Sequence, residues 1–118
     1  MRYLCLVHFE GQKLEAMTPE QHQRLDRRSL AYDEELAAGG HFIHAEALQS
    51  PDTAALVQMR GGKMQVSDGP FAETKEQLGG FILIEARDLN EAIRLAAGIP
   101  LAEIGTIEVR PIYDIPGG

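Results

Sequence analysis

The alternation of apolar and polar side chains opens the chain on a strand. In residues 2–9, Tyr3, Cys5, Val7 and Phe9 share one face, and Leu4, Leu6 and His8 share the other. Apolar residues on both faces predict a central strand, and the pattern alone leaves open whether His8 faces helices or a cavity. Residues 11–17 read as a loop. Thr18-Pro19-Glu20-Gln21 then supplies an N-cap, a proline at the first helical position and a glutamine at the reciprocal capping position. Leu25, Ser29, Tyr32 and Leu36 line one stripe of that helix, and Gly39-Gly40 ends it with a residue free to take positive φ.

A second strand spans 41–48, with Ile43, Ala45 and Ala47 on one face and Phe42, His44, Glu46 and Leu48 on the other. Residues 54–60 and 63–67 flank Gly61-Gly62, a hairpin signal. Asp68-Gly69-Pro70 is a loop by turn chemistry, and 72–78 has room for one helical turn. Residues 80–86 form a strand. A capped helix opens at Asp88, with Leu89, Ala92, Ile93 and Ala96 as its buried stripe and Gly98 and Pro100 closing it. The last strand covers 104–112.

The order is β-α-β, a hairpin, then β-α-β. With the hairpin as an insertion, the predicted class is α+β: a ferredoxin-like split β-α-β, one antiparallel sheet with two helices on one face. The other face would carry Phe42, His44, Glu46, Leu83 or Phe81, Glu85, Glu108 and Arg110. That mixture is too apolar for open water and too polar for a dry core. A homodimer, its two sheets facing each other across a partly polar cavity, resolves the conflict.

The length of 118 residues predicts one domain, 1–118. A net charge of −7 argues against nucleic acid and anionic membranes; Arg24, Arg27 and Arg28 share their helix with five carboxylates. No stretch is apolar for the roughly 18 residues a membrane span needs, and the opening apolar run is too short for a signal peptide, so a cytoplasmic protein is expected. The one cysteine, Cys5, excludes an internal disulfide and reads as an inert buried thiol. No metal site is expected, because His41 and His44 point to opposite faces of a strand and His44 with Glu46 lacks a third ligand. No cofactor is expected either: neither glycine pair has phosphate-loop spacing.

Chemistry concentrates in a few residues. Asp68, in a rigid loop, can serve as a general base, or it can only satisfy backbone N–H groups of its own turn. Lys75 can hold an anionic substrate, or pair on the surface with Glu73 or Glu76. His8, His44, Glu46, Glu108 and Arg110 bring together groups suited to proton transfer and carboxylate binding; Arg110 can equally neutralise Glu46 or Glu108.

The run Asp68-Gly69-Pro70-Phe71-Ala72-Glu73-Thr74-Lys75-Glu76-Gln77-Leu78-Gly79-Gly80-Phe81 resembles the signature of the YCII-related, DGPF-motif family. Leu83-Ile84-Glu85-Ala86, Glu91-Ala92, Glu46-Ala47-Leu48 and Glu108-Val109-Arg110-Pro111 extend the resemblance over nearly the whole chain. It implies a dimeric α+β barrel and a pocket in which relatives use a His and Asp pair, here Asp68 with His8. It also implies an association with sigma factors. Three readings follow: a cofactor-free enzyme acting on a small anionic metabolite, a non-catalytic small-molecule binder or sensor, and a protein-interaction partner linked to sigma-factor regulation.

Overall fold

The computed structural model covers residues 1–118. Its elements are β1 (Arg2–Phe9), α1 (Gly11–Glu15), α2 (Pro19–Ala38), β2 (Phe42–Ala47), β3 (Ala55–Arg60), β4 (Lys63–Asp68), β5 (Gln77–Glu85), α3 (Leu89–Ala97) and β6 (Gly105–Pro111). Short 3₁₀ turns lie at Pro51–Thr53 and Pro100–Glu103. One sheet runs β2-β5-β1-β6, antiparallel throughout, and β3-β4 is a separate hairpin. With the hairpin set aside, that order is the ferredoxin-like arrangement. The chain alone closes no barrel, since β2 and β6 are free edges.

Local chemistry sets the element ends. The Thr18 hydroxyl accepts from the Gln21 N–H at 3.2 Å, and the Gln21 side chain accepts from the Thr18 N–H at 2.9 Å. Both bonds satisfy N–H groups that a helix start leaves unpaired. After α2 the backbone turns at Gly40 with φ 78°. Gly61 and Gly62 take φ 57° and 75°, the two positive values that a two-residue hairpin turn needs to follow the strands' twist.

The core lies between the sheet and the helices. Tyr3, Cys5 and Val7 of β1 meet Ile82 and Ile84 of β5, Leu36 of α2, and Ala92 and Ala96 of α3. The molecule is 18 Å thick along its shortest axis, which is one sheet plus one helix layer. The other sheet face is therefore uncovered within the chain.

Four expectations need correction. Residues 11–17 hold the short helix α1, which has Glu10 at its N-cap with no side-chain cap bond and so carried no start signal. Residues 72–78 hold no helical turn; β5 begins at Gln77. On β2 a register shift between Phe42 and His44 sends Phe42 to the helix side against Ile84 and leaves Ile43 outside the ladder and exposed. A bulge of this kind inverts the faces upstream of it. On α3, Leu89 and Ile93 are exposed, and the buried stripe is Ala92 and Ala96, flanked by Leu95.

A second bulge matters more for function. Val7 pairs with Gly80 but His8 pairs with Leu78, so Gly79 is the extra residue. A Cβ at Gly79 would collide with the Phe9 ring, so only glycine fits there.

Candidate functional site

Strand register assembles the uncovered face. Leu4 lies beside Leu83 and Arg110, and Leu6 beside Phe81 and Glu108. On the β2 side, His44 lies beside Leu83 and Glu46 beside Phe81. An apolar centre is thus flanked by a His–Glu pair on one edge strand and a Glu–Arg pair on the other. His44 Nε2 is 2.9 Å from Glu46 Oε2, and the His44 ring lies 6.0 Å from Phe81, tilted by 54°. Arg110 Nε stands 4.0 Å from Glu108 Oε2, so its carboxylate partner is Glu108 and not Glu46. Arg110, His44 and Glu46 are all exposed, so each pair on its own contributes little.

His8 is on this open face, half-buried at 27% exposure. Its cross-strand neighbours are Leu78 and Thr106. Its Nε2 lies 3.1 Å from Glu108 Oε1. With Nε2–H donating to that carboxylate, the neutral ring keeps its lone pair on Nδ1, the atom able to accept a proton.

Beside His8 is a cleft of about 500 Å³. Ser50 and Thr53 line it from the turn after β2, Leu56 from the base of the hairpin, Pro70 and Phe71 from the loop before β5, and Gln77 from the first position of β5. That loop is held from within. The Gln77 side-chain amide donates to the carbonyls of Ala72 and Thr74 at 2.8 and 2.9 Å, and Thr106 donates to Glu76 at 2.7 Å, tying it to β6. Phe71 projects into solvent, 85% exposed. A second cavity, of about 560 Å³, lies between α2 and the sheet. Its one histidine, His22, is bonded through Nε2 to the Leu14 carbonyl at 2.6 Å.

The seven residues singled out from sequence are not all neighbours. His8 borders the cleft, with Glu108 behind it. Asp68 stands exposed at the end of β4, paired across the hairpin with Ala55, and the carboxylate on His8 is Glu108 rather than Asp68. Lys75 is exposed, and its nearest carboxylate is Glu10 at 3.6 Å, not Glu73 or Glu76. His44, Glu46 and Arg110 lie on the same sheet face as His8, farther along the strands. Gln77 and Glu76, which hold the loop, went unnoticed in the sequence. Their sole signal is placement inside the DGPF run.

Cys5 has no solvent exposure, and burial pushes its thiol up to about 11. It stays protonated and unreactive at neutral pH. No three His, Cys, Asp or Glu side chains gather closely enough to hold a metal ion. No helix is long and apolar enough to cross a membrane.

A functionally uncharacterised protein of Rhizobium meliloti (strain 1021) is 34% identical over 114 residues, covering 95% of this chain and 92% of the relative. Among solved structures, the fold is similar to 5-chloro-2-hydroxyhydroquinone dehydrochlorinase from Burkholderia phenoliruptrix AC1100, in complex with 2,5-dihydroxybenzoquinone. The TM-score there is 0.56 at 16% identity, over 96% of this chain and 94% of that one. The model of the YCII-related domain matches residues 1–116, so the chain belongs to the YCII-related family.

Proposed function

We propose that this protein is a cofactor-free enzyme, acting in the cytoplasm on a small anionic metabolite bound beside His8. The observation that carries this reading is the His8–Glu108 pair at 3.1 Å, set against a cleft of about 500 Å³ beneath the DGPF loop. A carboxylate behind an imidazole fixes its tautomer and stabilises the imidazolium formed on proton abstraction. His8 is thus the group that moves the proton, through Nδ1. Asp68, across the loop, is the second acid–base group. Lys75 and Arg110 supply positive charge for the substrate, and His44 and Glu46 border the far side of the open face. The likeness to a fold that acts on a small hydroxylated ring supports a small organic substrate.

The working form in this proposal is a homodimer with the two open faces opposed, a dimeric α+β barrel. Only 12 of 118 residues are buried in the single chain, and Leu4, Leu6, Phe81 and Leu83 need cover that the chain does not supply. A non-catalytic binder is the second reading, favoured by one fact: Asp68 and His8 are not in contact.

The test is a thermal-shift screen against small carboxylates, phenols and phosphates, with turnover of each hit followed chromatographically. His8→Gln, Glu108→Gln and Asp68→Asn are run beside the parent chain. For the enzyme, hits bind all four proteins, and turnover falls by about 100-fold in His8→Gln. Binding without turnover in the parent chain supports the binder. Turnover that survives every substitution unchanged refutes a site at His8.

A further inference from the structure

The cavity of about 560 Å³ between α2 and the sheet takes no part in the chemistry assigned to His8. It shares one lining residue, Leu48, with the cleft at His8. Its volume is in the range that holds small organic ligands. Val7, Phe9 and Ile82 of the sheet, Leu25 of α2 and Leu101 of the second 3₁₀ turn give it apolar walls. Glu46 and Phe81 of the open sheet face also border it, while its remaining polar side chains all come from α2.

Those side chains are not what a packed helix needs. His22, Asp26, Ser29 and Asp33 recur at intervals of four, three and four, so they share one face of α2, and all four line the cavity. A helix face turned toward a sheet is ordinarily apolar, as Tyr32 and Leu36 are near the end of the same helix. No Lys or Arg can reach this row along the helix. The positions three and four residues from Asp33 hold Ser29, Leu30, Leu36 and Ala37; those from Asp26 hold His22, Gln23, Ser29 and Leu30. Arg28 is turned instead to Glu103. Asp33 is half-buried without an ion pair, and burial holds its carboxyl above its usual range.

The cavity thus offers acceptors and almost no donors. An ionised carboxylate only accepts. His22 Nε2–H donates to the Leu14 carbonyl at 2.6 Å, which leaves the neutral ring a lone pair on Nδ1. The Ser29 hydroxyl is the one side-chain donor left, and no Lys, Arg, Asn, Gln or Tyr lines the space. We infer that this groove is a binding site for an amphipathic amine, with its ammonium group on Asp33 and its hydrocarbon body against the apolar walls. An ammonium brings three N–H donors, enough for the Asp33 carboxylate and the Ser29 oxygen together. An anionic ligand would meet only like charge here. The site is therefore distinct in ligand chemistry from the cleft at His8, and it stands whether or not that cleft is catalytic.

The test is calorimetric titration of the full chain with three compounds that share one body: phenylbutylamine, phenylbutanol and phenylbutyrate. The amine should bind at least about tenfold more tightly than the alcohol, the difference a charge-assisted hydrogen bond makes. Phenylbutyrate should not compete with it. Asp33→Asn should lose the preference for the amine and keep the affinity for the alcohol, which a collapsed cavity would not do. Leu30 lines the groove at 65% exposure in a chain without tryptophan, so Leu30→Trp places a fluorescent reporter there. Its emission should shift with the same midpoint as the calorimetric titration. The inference is overturned by an amine that binds no more tightly than the alcohol, or by a preference that survives Asp33→Asn. An equal loss of both ligands in Asp33→Asn, or binding that leaves the tryptophan emission unmoved, overturns it as well.

Discussion

Gly79→Ala tests how the β1-β5 bulge is built. The added methyl falls on the edge of the Phe9 ring, with the ring's Cδ1 at 3.1 Å and two further ring carbons closer still. Phe9 cannot simply swing away, since its ring packs against the core cluster. Overpacking of this kind costs about 1–3 kcal/mol. At about 4 °C per kcal/mol for a chain of this size, the melting temperature should drop by about 4–12 °C. Phe9→Ala removes the obstacle at a cost of its own. The combined variant should then be more stable than the sum of the two single losses, with a coupling of at least about 1 kcal/mol. Urea unfolding of the parent chain and the three variants measures all four corners of the cycle. Strict additivity would refute the argument, because the penalty would then not arise at the ring. The same bulge precedes His8 opposite Leu78, so a ligand of the cleft should bind Gly79→Ala more weakly than its lost stability alone explains.

Three further outcomes follow from the same structure. Cys5, with no exposure and its thiol pushed up to about 11, should react with a maleimide at pH 7 only as fast as the chain unfolds; rapid labelling of folded protein would contradict this. Ile84→Ala, at a side chain 1% exposed in the core, should cost about 2–5 kcal/mol in urea unfolding. Glu91 accepts the Arg87 backbone N–H at 2.8 Å, with the Arg87 and Arg94 guanidinium groups also near, and this holds its carboxyl below the usual 4.5. The unfolded chain takes up that proton first as pH falls, so the contribution is complete well above pH 4.5 and disappears through the depressed value. Glu91→Gln should therefore be less stable than the parent at pH 7, and the gap should close below pH 4.5.

Local rules were enough wherever the cause was local. The capping box at Thr18 and Gln21, the positive-φ turn at Gly61-Gly62 and the Gly40 exit from α2 each depend on residues within a few positions, and each is readable in the chain. Alternation along β1 put Tyr3, Cys5 and Val7 on one face, and packing then buried that face against the helices. The DGPF run marked the loop over the cleft. Nothing local marked its supports, since the value of Gln77 lies in carbonyls that only the folded loop presents.

Tertiary structure decided the rest. A bulge exists only relative to the strand opposite, so Gly79 and the turned face of Phe42 could not be read from either strand alone. The exposure of Leu89 and Ile93 follows from where α3 rests on the sheet, not from its periodicity. His8 and Glu108 are 100 positions apart and meet only because β1 and β6 pair in one register. The sequence by itself determined the main elements, their order and which residues of β1 share a face, because those depend on short-range geometry. Which carboxylate stands behind the histidine is a question of distance in space, and only the packed sheet answers it.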